Sequence, residues 1–285
     1  MRSAHSSQKK HRILPGFGLT LGFTLSYLSL LVLIPLCTIP LKATSSGWSG
    51  FLSAAFSERA IAAYGLSLGT SFCAAAINTV MGFIVAWVLV RYRFFGRTLI
   101  DGLIDLPFAL PTAVTGITLT ALYSQNGWLG KYLYQWGIES AYSFFGITLA
   151  LTFIGLPFVV RTIEPVLQDL DVTLEEAATS LGASRWQTLR RVILPELLPA
   201  LTTGFALAFA RGLGEYGSVI FIAGNMPMKT EITPLLIMIK LEQFDYVGAA
   251  AIAAVFLMIS FCLLLSINML QYNSSLLHLA SKGSR

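Results

Sequence analysis

Charge is scarce in this chain. Of its 285 residues only 12% are Asp, Glu, Lys or Arg, about half the share of an ordinary soluble domain. So few charges cannot coat a water-facing surface, which excludes a soluble globular protein and makes lipid the expected solvent. Histidine and cysteine are scarcer still. His5, His11 and His278 lie near the termini, and Cys37, Cys73 and Cys262 sit in separate apolar runs with no CxxC spacing. Neither pattern suits a metal or redox centre. No HExxH and no paired intramembrane aspartates occur, so no catalytic residue is assigned and no metal site is expected. The phosphate-cradling pattern GxxxxGK[ST] is absent, and with it a nucleotide site of that kind. No repeat of 20–50 residues and no low-complexity tract is found.

Apolar sequence is what remains. Hydrophobic residues make up 55% of the chain, and the mean hydropathy is +0.72. A membrane helix needs about 20 mostly apolar residues. Six stretches qualify: 14–41, 66–90, 99–123, 144–160, 197–223 and 248–270. The expected fold is all-α and polytopic, with six transmembrane helices. Pro107 and Pro111 interrupt the third stretch, which should be kinked or partly unwound. Arg2, Lys9, Lys10 and Arg12 before the first stretch look like a signal peptide. The apolar run is too long for one, and no clear cleavage site follows, so it reads as a retained helix. The division is a short N-terminal segment (1–13), a membrane domain (14–271) and a tail (272–285).

The net charge is +5 and the pI about 9.2. The basic residues cluster between apolar stretches, as in membrane loops facing the cytoplasm and unlike a nucleic-acid-binding face. With the N-terminus inside, the cytoplasmic segments hold 13 Lys and Arg and the outer segments 5. Both termini are then cytoplasmic. Trp48, Trp128, Tyr132 and Trp136 fall in outer segments, where they suit an interfacial belt or stacking on a ligand.

The longest polar stretch on the cytoplasmic side, 161–196, carries helix punctuation. Thr173 with Glu176 reads as a capping box opening a helix over 174–181, and Gly182 suits its C-cap. Ser184 with Gln187 reads as a second capping box, opening a helix that Pro195 should break. The product is a helix–Gly–helix unit at the membrane surface.

This stretch reads EAATSLGASRWQTLRRVILP from Glu176 to Pro195. It resembles the EAA loop of ABC importer permeases: Glu-Ala-Ala, three residues, Gly, nine residues, an aliphatic residue, one residue, Leu-Pro. Glu176, Ala177, Ala178, Gly182, Leu194 and Pro195 match, and Val192 stands where the pattern prefers isoleucine. The resemblance implies a type I ABC importer permease fold in the bacterial inner membrane, with this loop (about 173–195) docking on a separate ATPase. In that reading Ala177 and Ala178 allow close approach, Gly182 fixes the bend, and Glu176 faces a basic partner.

Two further segments narrow the family. DLPFALPTAVTGITL (105–119) is similar to molybdate and sulfate permeases, and ARGLGEYGSVIFIAGNMPMKTEITPLLI (210–237) resembles the sulfate/thiosulfate permeases. Molybdate permeases carry GEFGA where this chain has GEYGS, so a molybdate/tungstate permease stands as the alternative. The resemblance implies a second, CysW-like permease subunit, a CysA-like ATPase dimer holding ATP and Mg, and a periplasmic sulfate- or thiosulfate-binding protein. No cofactor is expected in this chain. An ion-coupled secondary transporter would want repeat halves and buried coupling carboxylates. Glu215 is a weak candidate for that role.

Within the membrane, Arg211 and Glu215 are spaced i, i+4 in the expected fifth helix and can pair. Two readings stand: a structural ion pair, or an electropositive path for an anion. Ala208 with Gly212, and Gly214 with Gly217, fit close helix packing or a flexible gate. Asp101 suits the dipole at the start of the third helix. Asp105 could pair with a loop arginine such as Arg97. Glu231, Glu242 and Asp245 are expected to be solvated on the outer side, or to meet the binding protein.

Overall fold

The structure, a computed structural model, describes residues 17–283, with side chains described through Met269. The expected segment 1–13 and the first three residues of the first stretch lie outside the described residues. Among the described residues every regular element is helical.

Helix α1 (Phe17–Ala43) stands largely uncovered, with Leu19 and Phe23 about three-quarters exposed or more. Only its last turns pack, on the C-terminal helix. A short surface helix α2 (Gly47–Ala55) leads to α3 (Glu58–Arg91), opened by the Ser57 hydroxyl accepting from Ala60 N–H. At 1.5 Å per residue its 34 residues span about 50 Å, more than a bilayer core. The third span is discontinuous, as the prolines predict. It consists of α4 (Arg97–Ile104), α5 (Leu106–Ala109) and α6 (Thr112–Tyr123), with Leu110 extended before Pro111.

A short α7 (Gly130–Gln135) precedes α8 (Phe144–Asp169), which continues nine residues past the expected end at Val160 and passes through Pro157 and Pro165. Then come α9 (Val172–Ser180) and α10 (Arg185–Leu213). The fifth span differs from the expectation at both ends. It begins at Arg185, and it stops at Leu213, after which residues 214–218 are unwound before the one-turn α11 (Val219–Ile222). The last elements are α12 (Thr233–Glu242) and α13 (Tyr246–Gly283), the latter running through most of the expected tail.

Pro195 does not break the second loop helix. The five residues before Leu194 form a π turn, with Leu194 N–H donating to the Leu189 carbonyl. Pro195 has no N–H to offer and would clash with the carbonyl four residues back. The wider turn removes that clash, and the helix proceeds. The same device recurs in α1, where a π turn over Ser29–Leu33 precedes Pro35.

The core lies between α3, α8 and α10. The buried face of α3 is made of small residues at three- and four-residue spacing, including Ala60, Ala63, Ser67, Ser71, Ala74, Asn78 and Gly82. Without a solvent-driven hydrophobic effect, close backbone approach supplies the packing in lipid. A Cβ on Gly82 would lie 2.7 Å from Val159 Cγ1, and one on Gly155 would lie 2.4 Å from Asn78 Nδ2.

Candidate functional site

The loop between α8 and α10 is a rigid unit. Asp171, not Thr173, caps α9: its carboxylate accepts from Thr173 N–H at 2.9 Å. That backbone hydrogen bond holds the Asp171 carboxyl below the usual carboxylate range. Both residue types cap helices, and the chain enters α9 two residues earlier than the Thr173–Glu176 box implied. Glu176 stays exposed. The C-terminal end follows the expectation. Gly182 has φ +81°, Gly182 N–H donates to the Thr179 carbonyl at 2.9 Å, and Ala183 N–H to the Ala178 carbonyl at 3.0 Å. These two bonds form a Schellman motif, which needs the left-handed residue glycine provides. Ser184 and Gln187 make both bonds of their capping box, at 3.3 and 2.8 Å.

Of the loop residues matched to the EAA pattern, Glu176, Ala177 and Gly182 are exposed on the tip and Ala178 is half-buried. Leu194 and Pro195 lie half-buried at the base, within α10. Leu181 and Trp186, not singled out from sequence, are the largest exposed apolar groups at the tip, at 88% and 65% exposure. Also unforeseen is the anchor. Arg91, in the last turn of α3, pairs with Glu175 at 2.5 Å and lies over the Trp87 ring, 5.6 Å from its centroid. The neighbouring Glu175 thus ties the loop down, and Glu176 is left free for contact.

At the other end of α10, Arg211 Nη1 lies 2.6 Å from Glu215 Oε2. Glu215 is buried, and its second oxygen accepts from Ser218 N–H and Ser218 Oγ–H, both at 3.0 Å. Glu215 lies outside the helix, two residues beyond its end, and its carboxylate bridges the unwound segment between α10 and α11. This unwound segment faces the break in the third span. A Cβ on Gly116 would lie 2.4 Å from the Ser218 carbonyl oxygen, and one on Gly217 would lie 2.2 Å from Thr112 Oγ1. Ala208 and Gly212 pack against Gly155 and Ser71 in the core. Gly214 has open space around it.

Four carboxylates have partners that differ from the expectation. Asp101 and Asp105 bind Arg161 of α8 and not Arg97. Glu231 is buried, with a fork from Arg59 Nε and Nη2, each at 2.7 Å. Asp245 pairs with Lys240 at 2.9 Å and accepts from Gly248 N–H, which together hold its carboxyl below the usual range. Of the expected solvated trio, Glu242 remains exposed.

Residues 78–275 match the family described as "Binding-protein-dependent transport system inner membrane component". The chain is 50% identical over 260 residues to the sulfate transport system permease protein CysT of Escherichia coli (strain K12), covering 91% of this chain and 94% of that protein. It is 49% identical over 248 residues to CysT of Synechocystis sp., covering 87% of each. Among solved structures, a bacterial ABC transporter involved in import of the acidic polysaccharide alginate matches with TM-score 0.73 at 17% identity, over 90% of this chain and 94% of that one. The MetNI methionine ABC transporter matches with TM-score 0.55 at 16% identity, over 75% and 95%.

Proposed function

This chain belongs to the family of binding-protein-dependent transport system inner membrane components, and we propose that it is the permease subunit of an ABC importer for sulfate and thiosulfate. The observation that carries the anion assignment is identity at half of all positions with sulfate permeases over nearly the whole chain. The chain is a multi-pass inner membrane component and not itself an enzyme. ATP and Mg belong to a separate, CysA-like ATPase dimer. A CysW-like permease completes the pore, and a periplasmic sulfate- or thiosulfate-binding protein delivers the anion. The arginine-rich end, with the EAA-type loop and both termini, faces the cytoplasm.

The geometry gives this reading a mechanism. The loop is capped at each helix end and fastened to α3 by Arg91–Glu175. It presents Glu176, Leu181 and Trp186 outward. From Arg185, α10 runs to Leu213, about 43 Å at 1.5 Å per residue. A displacement of the loop when the ATPase dimer closes is carried along this rod to the unwound segment 214–218. There Ser218 and Gly217 touch Gly116 and Thr112, so the third span receives the push at its own break.

The test is anion uptake by the complex assembled in vesicles with its ATPase and binding protein. ATP-dependent uptake of labelled sulfate, competed by thiosulfate, is expected. Uptake of molybdate with no sulfate uptake would move the chain to the molybdate/tungstate permeases. Uptake driven by an ion gradient without ATP would reject the ABC mechanism.

A further inference from the structure

The inner half of the third span is an arm with little packing of its own. Leu99, Leu103 and Phe108 on α4 and α5 are about half exposed or more. The arm meets the body through Ile104, its one buried residue, in the main core, and through α5 on α8, where the Phe108 and Phe158 rings stand edge to face with centroids 5.1 Å apart. It ends at extended Leu110 and Pro111, beyond which α6 is seated on the Ser218 backbone.

Arg161 of α8 holds this arm with every N–H it has. Nε and Nη2 donate to the two Asp105 oxygens at 3.0 and 2.6 Å. Nη1 donates to Asp101 Oδ1 and to Glu164 Oε2, both at 2.7 Å. The remaining Nη2 proton goes to the Asp101 carbonyl oxygen at 3.1 Å. A guanidinium has five N–H groups, and here four of them are spent on the arm. Three carboxylates around one cation leave an excess of negative charge, which does not suit an anion site. It does suit a two-position contact. With Arg161 in place the carboxylates are bridged, and once the arm moves away Asp101 and Asp105 no longer share a cation with Glu164. Like charges at such distances repel.

We propose that Arg161 is the positioning residue of an inner latch on the transport path. The arm, residues 97–109, swings about Leu110–Pro111 during transport while α6 stays seated on the 214–218 segment, and the Arg161 fork holds the arm closed between turnovers. This rests on the permease reading above.

The test uses a chain with Cys37, Cys73 and Cys262 replaced by serine and carrying Phe108→Cys and Phe158→Cys, assembled with its ATPase and binding protein in vesicles. A short bis-methanethiosulfonate reagent bridges the two thiols and leaves the Arg161 cluster intact. Sulfate uptake and ATP hydrolysis stimulated by the binding protein are expected to fall about tenfold or more on bridging and to return with reductant, as for any locked element that must move. Unchanged uptake and hydrolysis in the bridged protein would overturn the latch. Hydrogen exchange of the unmodified complex, with and without nucleotide trapping, gives a second measurement. Residues 97–109 should change protection while 112–123 do not, and equal protection of 97–109 in both states would also overturn it. A complex that hydrolyses ATP but takes up no sulfate rejects the substrate assignment alone, because bridging and exchange still report on the latch through hydrolysis.

Discussion

Arg91 and Glu175 meet at 2.5 Å and join the last turn of the second span to the first turn of the loop helix. Both side chains are partly covered, and Arg91 also rests over Trp87. A pair in that setting contributes about 1 kcal/mol, near the upper end for exposed pairs. Glu175→Gln should therefore loosen the loop and lower ATP-coupled uptake roughly fivefold, with normal amounts of protein in the membrane. The exchange Arg91→Glu with Glu175→Arg should recover part of the loss. Full activity in Glu175→Gln would show that the anchor does not matter for coupling.

On the exposed tip the expectation separates charge from conformation. Glu176→Lys removes no contact within the chain, so yield should be unchanged while co-purification of the ATPase drops. Gly182→Ala meets no neighbouring atom, but its φ of +81° costs an L-residue about 1–2 kcal/mol. Gly182→Asn should be milder than Gly182→Val, since asparagine tolerates the left-handed region and a β-branched residue does not. Normal ATPase co-purification by both Glu176→Lys and Gly182→Val would count against a docking role for the tip.

The parts of this architecture legible in the sequence are local ones. Gly182, and Ser184 with Gln187, are readable because a cap involves residues three or four apart. Pro107 and Pro111 announce the broken third span for the same reason. What stayed hidden depends on distant partners. Asp105 meets Arg161 across 56 residues, and Glu231 meets Arg59 across 172. A lone carboxylate gives no hint of which distant arginine pairs with it. The end of α10 at Leu213 was hidden differently. The unwound turn, Gly-Glu-Tyr-Gly-Ser at 214–218, is a short polar interruption between apolar runs, and a hydropathy window of membrane-span length averages across it.

The orientation gives a direct experiment in sealed cells. Lys131 and Lys229 are exposed at one end of the bundle, Arg93 and Ser184 at the other. Cysteine placed at either lysine position should react with an impermeant maleimide added outside. Cysteine at Arg93 or Ser184 should react only after lysis. Labelling of Ser184→Cys from outside would invert the topology.

Where the two broken spans touch, neighbouring glycines should respond in opposite ways. Gly116→Ala sets a methyl 2.4 Å from the Ser218 carbonyl oxygen, a backbone atom that cannot turn aside. Overpacking of that kind costs about 1–3 kcal/mol, and the detergent-solubilised Tm should fall by several degrees. Gly214→Ala meets nothing within 4 Å, and Gly214 has φ −90°, so it should be neutral or raise Tm slightly. Equal Tm values for the two variants would mean that the contact between the third and fifth spans is not as close as the geometry has it.

Arg211 and Glu215 allow the two readings of the fifth span to be separated. Glu215 is buried and accepts from Arg211 and from both donors of Ser218, so its carboxylate is fully committed to holding the turn after α10. Removing one partner of a well-buried pair costs about 3–5 kcal/mol. Arg211 is a third exposed, which lets water reach the charge left behind in Glu215→Gln and places that variant below the range. Arg211→Gln strands the anion in the more buried position, so it should lower folded yield more than Glu215→Gln does. The double change leaves neither charge, and glutamine at 215 can still accept from Ser218, so yield should recover in part. An arginine serving mainly as an anion guide would behave otherwise. Arg211→Gln would then fold with normal yield and transport no sulfate, and the double change would show no recovery because there would be nothing to recover. Measuring detergent-stable yield and sulfate uptake together, for both singles and the double, decides between a brace and a substrate contact.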